Sequence, residues 1–163
     1  MTGEQLQPPV QPERGYQPPE GLFNVDAMSD EQIVLMSRSF DAMARSLRDE
    51  PGNDDCVYDN MFEGLAADVR GLAARNPERV KGLVRATIRS NCPSDQELAS
   101  YVVPGLIDHD YYFTREALIY LYCDTGDSQA SEAAYAAICK LAKERLTPEQ
   151  RADFNACLTF QGV

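Results

Sequence analysis

The sequence predicts an all-α protein, either a HEAT-like helical stack or an irregular bundle of about seven helices. Three observations carry this prediction. Apolar residues recur at helical spacing from Asp26 onward, polar residues and prolines mark several helix starts, and no segment shows strand alternation between turn residues. A chain of 163 residues has the length of one ordinary domain with its own core. We therefore expect a single helical domain over residues 27–163.

Residues 1–26 form a separate segment in this prediction. The stretch 7–21 carries five of the ten prolines of the chain. Proline fixes φ and has no backbone donor, so this Pro-rich N-terminal tail is expected to be extended or disordered. Pro9 and Pro12 have the PxxP spacing of a polyproline ligand. A solubilising tail without a recognition role is the alternative on composition.

The first two helices are predicted from capping and periodicity. Ser29 and Gln32 have capping-box spacing at the start of the first helix, which runs over 28–47. One apolar stripe follows along it, formed by Ile33, Met36, Phe40, Met43 and Leu47. The sequence EPGNDD breaks the chain, and a second helix is expected from about Cys56 to Arg75.

The middle of the chain contains two further helix starts. Asn76-Pro77-Glu78 combines a capping residue, a first-turn proline and an acid near the positive helix end, and predicts a third helix to about Ser90. Ser94 and Glu97 have capping-box spacing and predict the start of a fourth helix. Pro104-Gly105 must kink or end that helix.

Three more helices complete the predicted domain. The fifth covers 112–124, the turn Gly126-Asp127 follows, and the sixth covers 129–146. Thr147 and Gln150 then repeat the capping-box spacing and start the last helix. Seven helices joined by short loops are typical of a bundle or a stack.

One stretch resembles a HEAT-like repeat. In residues 103–130, Pro104 kinks a first helix, acids occupy the following turn, and Ala117, Leu118 and Leu121 form the packing face of a second helix. When the sequence is aligned with itself at an offset of 33 residues, the stretch 76–98 falls on the stretch that begins at His109, and the two show the same order of features. The resemblance implies a stacked helical surface that is presented to a protein partner.

The charge of the chain restricts its partners. Twenty-six acids against fifteen bases give a net charge of −11, which argues against broad binding to nucleic acid or to an anionic membrane. The charge is segregated, with −7 over residues 49–69, +5 over 70–94 and −6 over 95–127. A protein partner that is itself basic suits this balance.

The cysteines and the apolar segments favour a cytoplasmic protein. The five cysteines include no C-x-x-C pair, which argues against a zinc ribbon and a disulfide scaffold. We see no signal peptide and no apolar run of membrane-spanning length, and no motif that requires a cofactor.

The first functional hypothesis is a non-enzymatic interaction module, such as an adaptor, an inhibitor or an immunity-type protein. Its acidic turns would cover a basic partner, and exposed tyrosine beside carboxylate suits an interface hot spot. The predicted contact residues are Asp54, Asp55, Asp59, Asp108, Asp110, Tyr111 and Tyr112.

The second hypothesis is a nucleic-acid or phospho-ligand binder that uses the basic third helix, residues 76–90. Lys81, Arg85 and Arg89 recur every four residues, and such a stripe could form a small phosphate-binding groove. Pairing with neighbouring acids, or simple solvation, is the structural alternative. The candidate residues are Arg75, Arg79, Lys81, Arg85 and Arg89.

The third hypothesis is a metal-dependent enzyme at Asp108-His109-Asp110, which contains the only histidine. Adjacent residues seldom converge on one ion, and helical ligand sets use i, i+3 or i+4 spacing. Two acids before a helix start are also what a capped turn requires. We therefore expect a joint between helices here rather than a metal site.

Overall fold

A computed structural model describes residues 21–52 and 56–162, and these ranges contain helices and no strand. The all-α prediction is confirmed, as is the number of helices. The helices are α1 (Asp30–Arg48), α2 (Val57–Leu72), α3 (Pro77–Thr87), α4 (Pro93–Val102), α5 (Tyr111–Cys123), α6 (Ser128–Glu144) and α7 (Pro148–Phe160). Membership of the HEAT-like class stays a prediction.

Helix α4 lies at the centre of the fold. It packs against α1, α2, α3 and α6, while α5 packs against α6. The core side chains that these helices bury completely include Leu65, Val69, Leu98, Leu118 and Leu121. Burial of each such side chain stabilises the fold by about 1.5–3 kcal/mol relative to exposure. None of the described helices combines the length and apolar character that a membrane crossing requires.

The polar helix starts form as the sequence predicts. Ser29 Oγ accepts the backbone N–H of Gln32 at 3.1 Å, and Gln32 Oε1 accepts that of Ser29 at 2.8 Å. Thr147 and Gln150 form the same reciprocal pair at α7. Asn76 caps α3 ahead of Pro77. Each cap satisfies donors that a helix start leaves unpaired, which is why these starts are readable from sequence.

The start of α4 differs from the prediction, and the capping box at Ser94 and Glu97 is wrong. The helix begins at Pro93, with Cys92 before it, so the predicted cap residue lies inside the first turn. Ser94 Oγ instead donates to Asp41 Oδ2 at 2.6 Å. Proline at the first helical position fixes the start two residues earlier and leaves both side chains available for contacts with α1.

The buried face of α1 also differs from the predicted apolar stripe. Its buried residues are Ile33, Ser37, Asp41 and Ala44, whereas Met43 is 44% exposed. The helix is therefore rotated so that a carboxylate faces the interior. Asp41 tolerates burial because donors from α1 and α4 hold it, as hydrogen-bonded buried acids require.

Residues 21–26 pack on the domain, although the predicted tail extended to residue 26. The backbone N–H groups of Gly21 and Phe23 donate to the Asp68 carboxylate at 2.7 and 2.9 Å. Val25 begins a 3-10 helix, Val25–Ala27, and is 2% exposed. The PxxP segment at Pro9 and Pro12 lies outside the described residues.

A short 3-10 helix, Val103–Leu106, ends α4 and leads into α5. Pro104-Gly105 lies within it, as the sequence predicts for the end of α4. A Cβ atom on Gly105 would lie 2.7 Å from the backbone oxygen of Arg70 in α2. The chain therefore passes so close to α2 that only glycine fits.

Candidate functional site

Residues 108–110, the joint before α5, connect α3, α5 and α6 through their side chains. Asp108 pairs with Arg145 at the end of α6, and His109 Nε2 lies 2.9 Å from Glu78 Oε2 in α3. Asp110 caps α5 by accepting the N–H of Phe113 at 3.0 Å, and also accepts from Lys81 Nζ at 2.7 Å. The three side chains thus point to separate partners. Across residues 21–52 and 56–162, no group of three His, Cys, Asp or Glu side chains could hold a metal ion.

The two tyrosines that follow the joint, at the start of α5, differ in their exposure to solvent. The hydroxyl of Tyr111 donates to Asp153 Oδ2 at 2.7 Å, and burial, followed by this carboxylate, raises its pKa. Tyr112 is 66% exposed, and its ring packs edge-on against that of Tyr111. Of the contact residues predicted here, Asp108 and Tyr112 are open to solvent, while Asp110 and Tyr111 make contacts within the protein.

The other predicted contact residues are Asp54, Asp55 and Asp59. Asp54 and Asp55 are outside the described residues. Asp59, in the first turn of α2, accepts from Arg48 Nη2 at 2.8 Å. Arg48 and Asp59 together border a cleft, so the structure places one predicted contact residue at the edge of a concave surface.

This acidic cleft is formed by α2, α4, α6 and the end of α1, and has a volume of about 360 Å³. Phe62 and Tyr101 provide its aromatic walls. The charged residues that line it are one arginine and four acids, namely Arg48, Asp59, Glu63, Glu97 and Glu132. Carboxylates from three helices thus converge with one cation among them.

Beneath the cleft, a buried carboxylate cluster surrounds Arg45 of α1. The guanidinium donates to Asp41 at 2.7 Å and to Glu97 at 3.0 Å, and it lies 3.4 Å from Asp127. Asp41 is 1% exposed and Glu97 is 8% exposed. Burial lowers the pKa of Arg45, but the Asp41 and Asp127 carboxylates outweigh burial and the pKa is raised. One cation therefore faces three acids.

Glu97 is the member of the cluster with the least support for a negative charge. Asp41 has a second donor in Ser94, and Asp127 has a second donor in the N–H of Ala130 at the start of α6. Glu97 accepts from Arg45 alone among the described side chains. Burial, followed by the charge of Asp41, raises the pKa of Glu97 to about 8. Burial beside Asp41 therefore favours the protonated form of this carboxyl.

The walls of the cleft show the same lack of positive charge. Partial burial raises the pKa of Glu63, and the charge of Asp59 adds to the effect. Burial and then the nearby glutamates raise the pKa of Tyr101. The Oε1 atom of Gln129 is buried in the cleft and accepts no hydrogen bond from the described residues. The cleft is thus chemically suited to receive a cationic hydrogen-bond donor.

The five basic residues that the sequence suggests as a phosphate-binding site divide into two groups. Arg75 pairs with Asp26 at 3.0 Å, Arg79 with Asp30 at 2.8 Å, and Lys81 with Asp110 at 2.7 Å. Arg85 and Arg89 instead lie over aromatic rings of α5. Internal pairing, the structural alternative from the sequence, thus describes three of the five residues.

Sequence reasoning missed most of the acidic cleft and of the buried carboxylate cluster around Arg45. Asp41, Arg45 and Asp127 were not singled out, and Glu97 was interpreted as a capping residue. Asp41 had a usable signal, because it lies eight residues after Ile33 and so shares the helix face of that buried residue. Glu63 and Glu132 gave none, since isolated acids on helices are ordinarily solvated.

No protein-family model, curated protein or solved structure gives a significant match to the chain. Function is therefore argued from the site itself.

Proposed function

We propose that the protein is a non-enzymatic interaction module, of the adaptor, inhibitor or immunity type, that binds a basic protein partner through the acidic cleft. The observation that supports this most directly is the convergence of four carboxyl groups on a cleft with one arginine at its edge. An aliphatic stem that ends in an ammonium or guanidinium group fits such a cleft. Its charge would meet Asp59, Glu63 and Glu132, and its stem would lie against Phe62 and Tyr101.

The electrostatics favour a cation that comes from outside the chain. Burial, followed by the charge of a neighbouring acid, raises the pKa values of Glu63 and Glu97, so the charged forms of both carboxyl groups are disfavoured in the folded protein. A partner lysine or arginine would supply that charge, and Gln129 Oε1 would gain a donor. A buried, hydrogen-bonded charge pair of this kind governs the dissociation rate more than rim charges do.

The experiment is an affinity purification of the full chain from native lysate, split into nuclease-treated and untreated halves, with quantitative mass spectrometry. The test variant is Glu63→Gln with Glu132→Gln, which removes two cleft charges and keeps side-chain size. The matched control is Glu31→Gln with Glu149→Gln, since both acids are exposed and lie in first turns of α1 and α7. We expect a basic protein that the wild type and the control retain and the cleft variant loses.

Two outcomes would overturn the proposal. Equal recovery of the partner with the cleft variant would place the contact elsewhere. Recovery that disappears with nuclease treatment would favour the nucleic-acid hypothesis. A third variant, Asp108→Lys with Tyr112→Ala, tests in the same assay whether the exposed part of the joint adds a second contact, which stays a prediction.

A further inference from the structure

Within residues 21–52 and 56–162, Arg85 and Arg89 are the two arginines whose guanidinium groups make neither an ion pair nor a hydrogen bond with another described residue. Every other arginine in the described ranges has a carboxylate or a backbone carbonyl as partner. In a chain of net charge −11, acids are abundant enough to pair with both. Their donors are instead left available at the C-terminal end of α3 and in the turn after it.

Aromatic rings hold the two guanidinium groups in place. The guanidinium carbon of Arg85 lies 5.3 Å from the ring centre of Phe113, and that of Arg89 lies 4.4 Å from the ring centre of Tyr120. Stacking of a planar guanidinium on a ring satisfies its face and leaves its N–H edge open. Arg85 lies in the last turn of α3 and Arg89 in the turn that follows Thr87, and both line the same groove. Two guanidinium groups thus border the same groove.

The groove between α3 and α5 gives these donors a concave setting. It has a volume of about 380 Å³, and its partly exposed apolar lining comes from Ile88 and the rings of Phe113 and Tyr120, with Val84, Ala117 and Ile119 buried behind them. Glu116 and Asp124 also border the groove, and Glu116 is paired with Arg115 at 2.8 Å. The groove therefore offers two cationic forks, an apolar wall and two acids at its border.

We propose that Arg85 and Arg89 form a binding site for a single phosphomonoester group that is carried on an apolar or aromatic body. A phosphomonoester dianion matches the two guanidinium charges and has enough oxygens to accept from both forks, whereas a carboxylate would match one. The apolar wall suits the body of the ligand. The acids at the border, together with the acidic segments around α3, repel a long polyanion and so disfavour a nucleic-acid backbone.

The test follows the side-chain Nε–Hε signals of arginine by NMR during titration with phenyl phosphate. The test variant is Arg85→Lys with Arg89→Lys, which keeps both charges and removes the planar forks. The control is Arg48→Lys with Arg75→Lys, two arginines that are paired with acids elsewhere. We expect saturable shifts of Arg85 and Arg89 in the wild type and the control. The double lysine variant should bind at least about tenfold more weakly, because an ammonium group keeps the charge but cannot offer the paired, planar N–H donors of a guanidinium group.

Further titrations separate the sources of the phosphoryl group. Tighter binding of a neutral phosphotyrosine peptide would assign the site to a phosphorylated protein, and equal or tighter binding of phenyl phosphate would assign it to a small molecule. Both results support the proposal. Unsaturable shifts, or equal affinity in the double lysine variant, would overturn it. Tighter, steeply salt-dependent binding of a single-stranded oligonucleotide would also overturn it in favour of a polyanion site.

Discussion

Glu97 is a single residue whose environment predicts how stability should vary with pH. Its pKa is raised to about 8 in the folded protein, against an ordinary glutamate value in the unfolded chain. Between these two values the folded state holds more protons than the unfolded state. The free energy of unfolding should therefore fall as pH rises from about 5 to 8, by at most about 1.4 kcal/mol per pH unit from this group.

The substitution Glu97→Gln isolates this effect. Glutamine keeps the shape and the neutral form, so the variant should lose most of the decline in stability and exceed the wild type at pH 9. Urea denaturation between pH 5 and 9 measures it, with Glu149→Gln in the exposed first turn of α7 as the control. Parallel curves for the wild type and Glu97→Gln would show that the carboxyl is already ionised at neutral pH.

Asp110 gives a second prediction for one residue. Its side chain caps α5 through the N–H of Phe113 and pairs with Lys81, and the Lys81 and Phe113 hydrogen bonds lower its pKa. Asp110→Ala should destabilise the protein by about 1–2 kcal/mol, because the α5 start loses its acceptor. Asp110→Asn keeps an acceptor and should cost clearly less. Equal losses in the two variants would assign the effect to the Lys81 pair instead of the cap.

The role of a side chain could be predicted from the sequence where its hydrogen-bond partner lies nearby in the chain. The capping roles of Ser29, Asn76, Asp110 and Thr147 depend on backbone groups within three residues, so the sequence contains both partners. The role of Glu97 depends on Arg45, which lies 52 residues away. The spacing of Ser94 and Glu97 fits a capping box, and only tertiary contacts show that it is not one.

At the scale of elements, the link between α4 and α5 depends on the absence of a side chain at Gly105. A Cβ atom there would lie 2.6 Å from Arg70 Cγ and 2.7 Å from its backbone oxygen. Because the backbone of α2 cannot move without disturbing the core, Gly105→Ala should destabilise the protein by about 1–3 kcal/mol. Chemical denaturation measures the loss.

A glycine within α3 provides the control for this prediction. Nothing lies within 4 Å of a Cβ atom placed on Gly82, so Gly82→Ala should stabilise the helix by up to about 1 kcal/mol. Opposite signs for the two substitutions are expected. A neutral Gly105→Ala would mean that the link and α2 separate easily, and that Gly105 serves only to end α4.

Element boundaries were predictable to different degrees. The starts of α1, α3 and α7 follow from caps and prolines, whereas the end of α2 falls at Leu72 and not near Arg75. Apart from Pro104-Gly105 at the end of α4, helix ends lack such markers here, because no glycine in the left-handed region closes any helix between α1 and α6 in the described residues. Burial by neighbouring helices then decides where each helix stops.

At the scale of the whole molecule, the acidic cleft could not have been predicted from the sequence. Its residues come from four helices, and each acid alone matches an ordinary solvated position. The segment charge of −7 over residues 49–69 did indicate an acidic surface near Asp59. It could not indicate that Glu97 and Glu132 would join Asp59, since that depends on how α4 and α6 pack against α2.

The cleft should lower the stability of the fold, as binding sites that concentrate one charge often do. Like charges at Asp59, Glu63 and Glu132 repel each other, and Arg48 offsets only part of this. Glu63→Gln with Glu132→Gln should therefore stabilise the protein, by a few tenths to about 1 kcal/mol, since both side chains are exposed enough for solvent to screen them. The control, Glu31→Gln with Glu149→Gln, should be slightly destabilised, because those acids favour helix starts.

Salt separates this electrostatic effect from any change in packing. At about 0.1 M ionic strength the screening length is about 10 Å, and it shortens to about 3 Å at 1 M. Urea denaturation of the cleft variant, the control and the wild type at both salt concentrations should show the advantage of the cleft variant shrinking as salt rises. An advantage that is independent of salt would mean that the glutamines pack better. A destabilised cleft variant would mean that Glu63 and Glu132 stabilise the fold. The cleft of the free protein would then not contain the unfavourable charge repulsion that a basic partner could relieve.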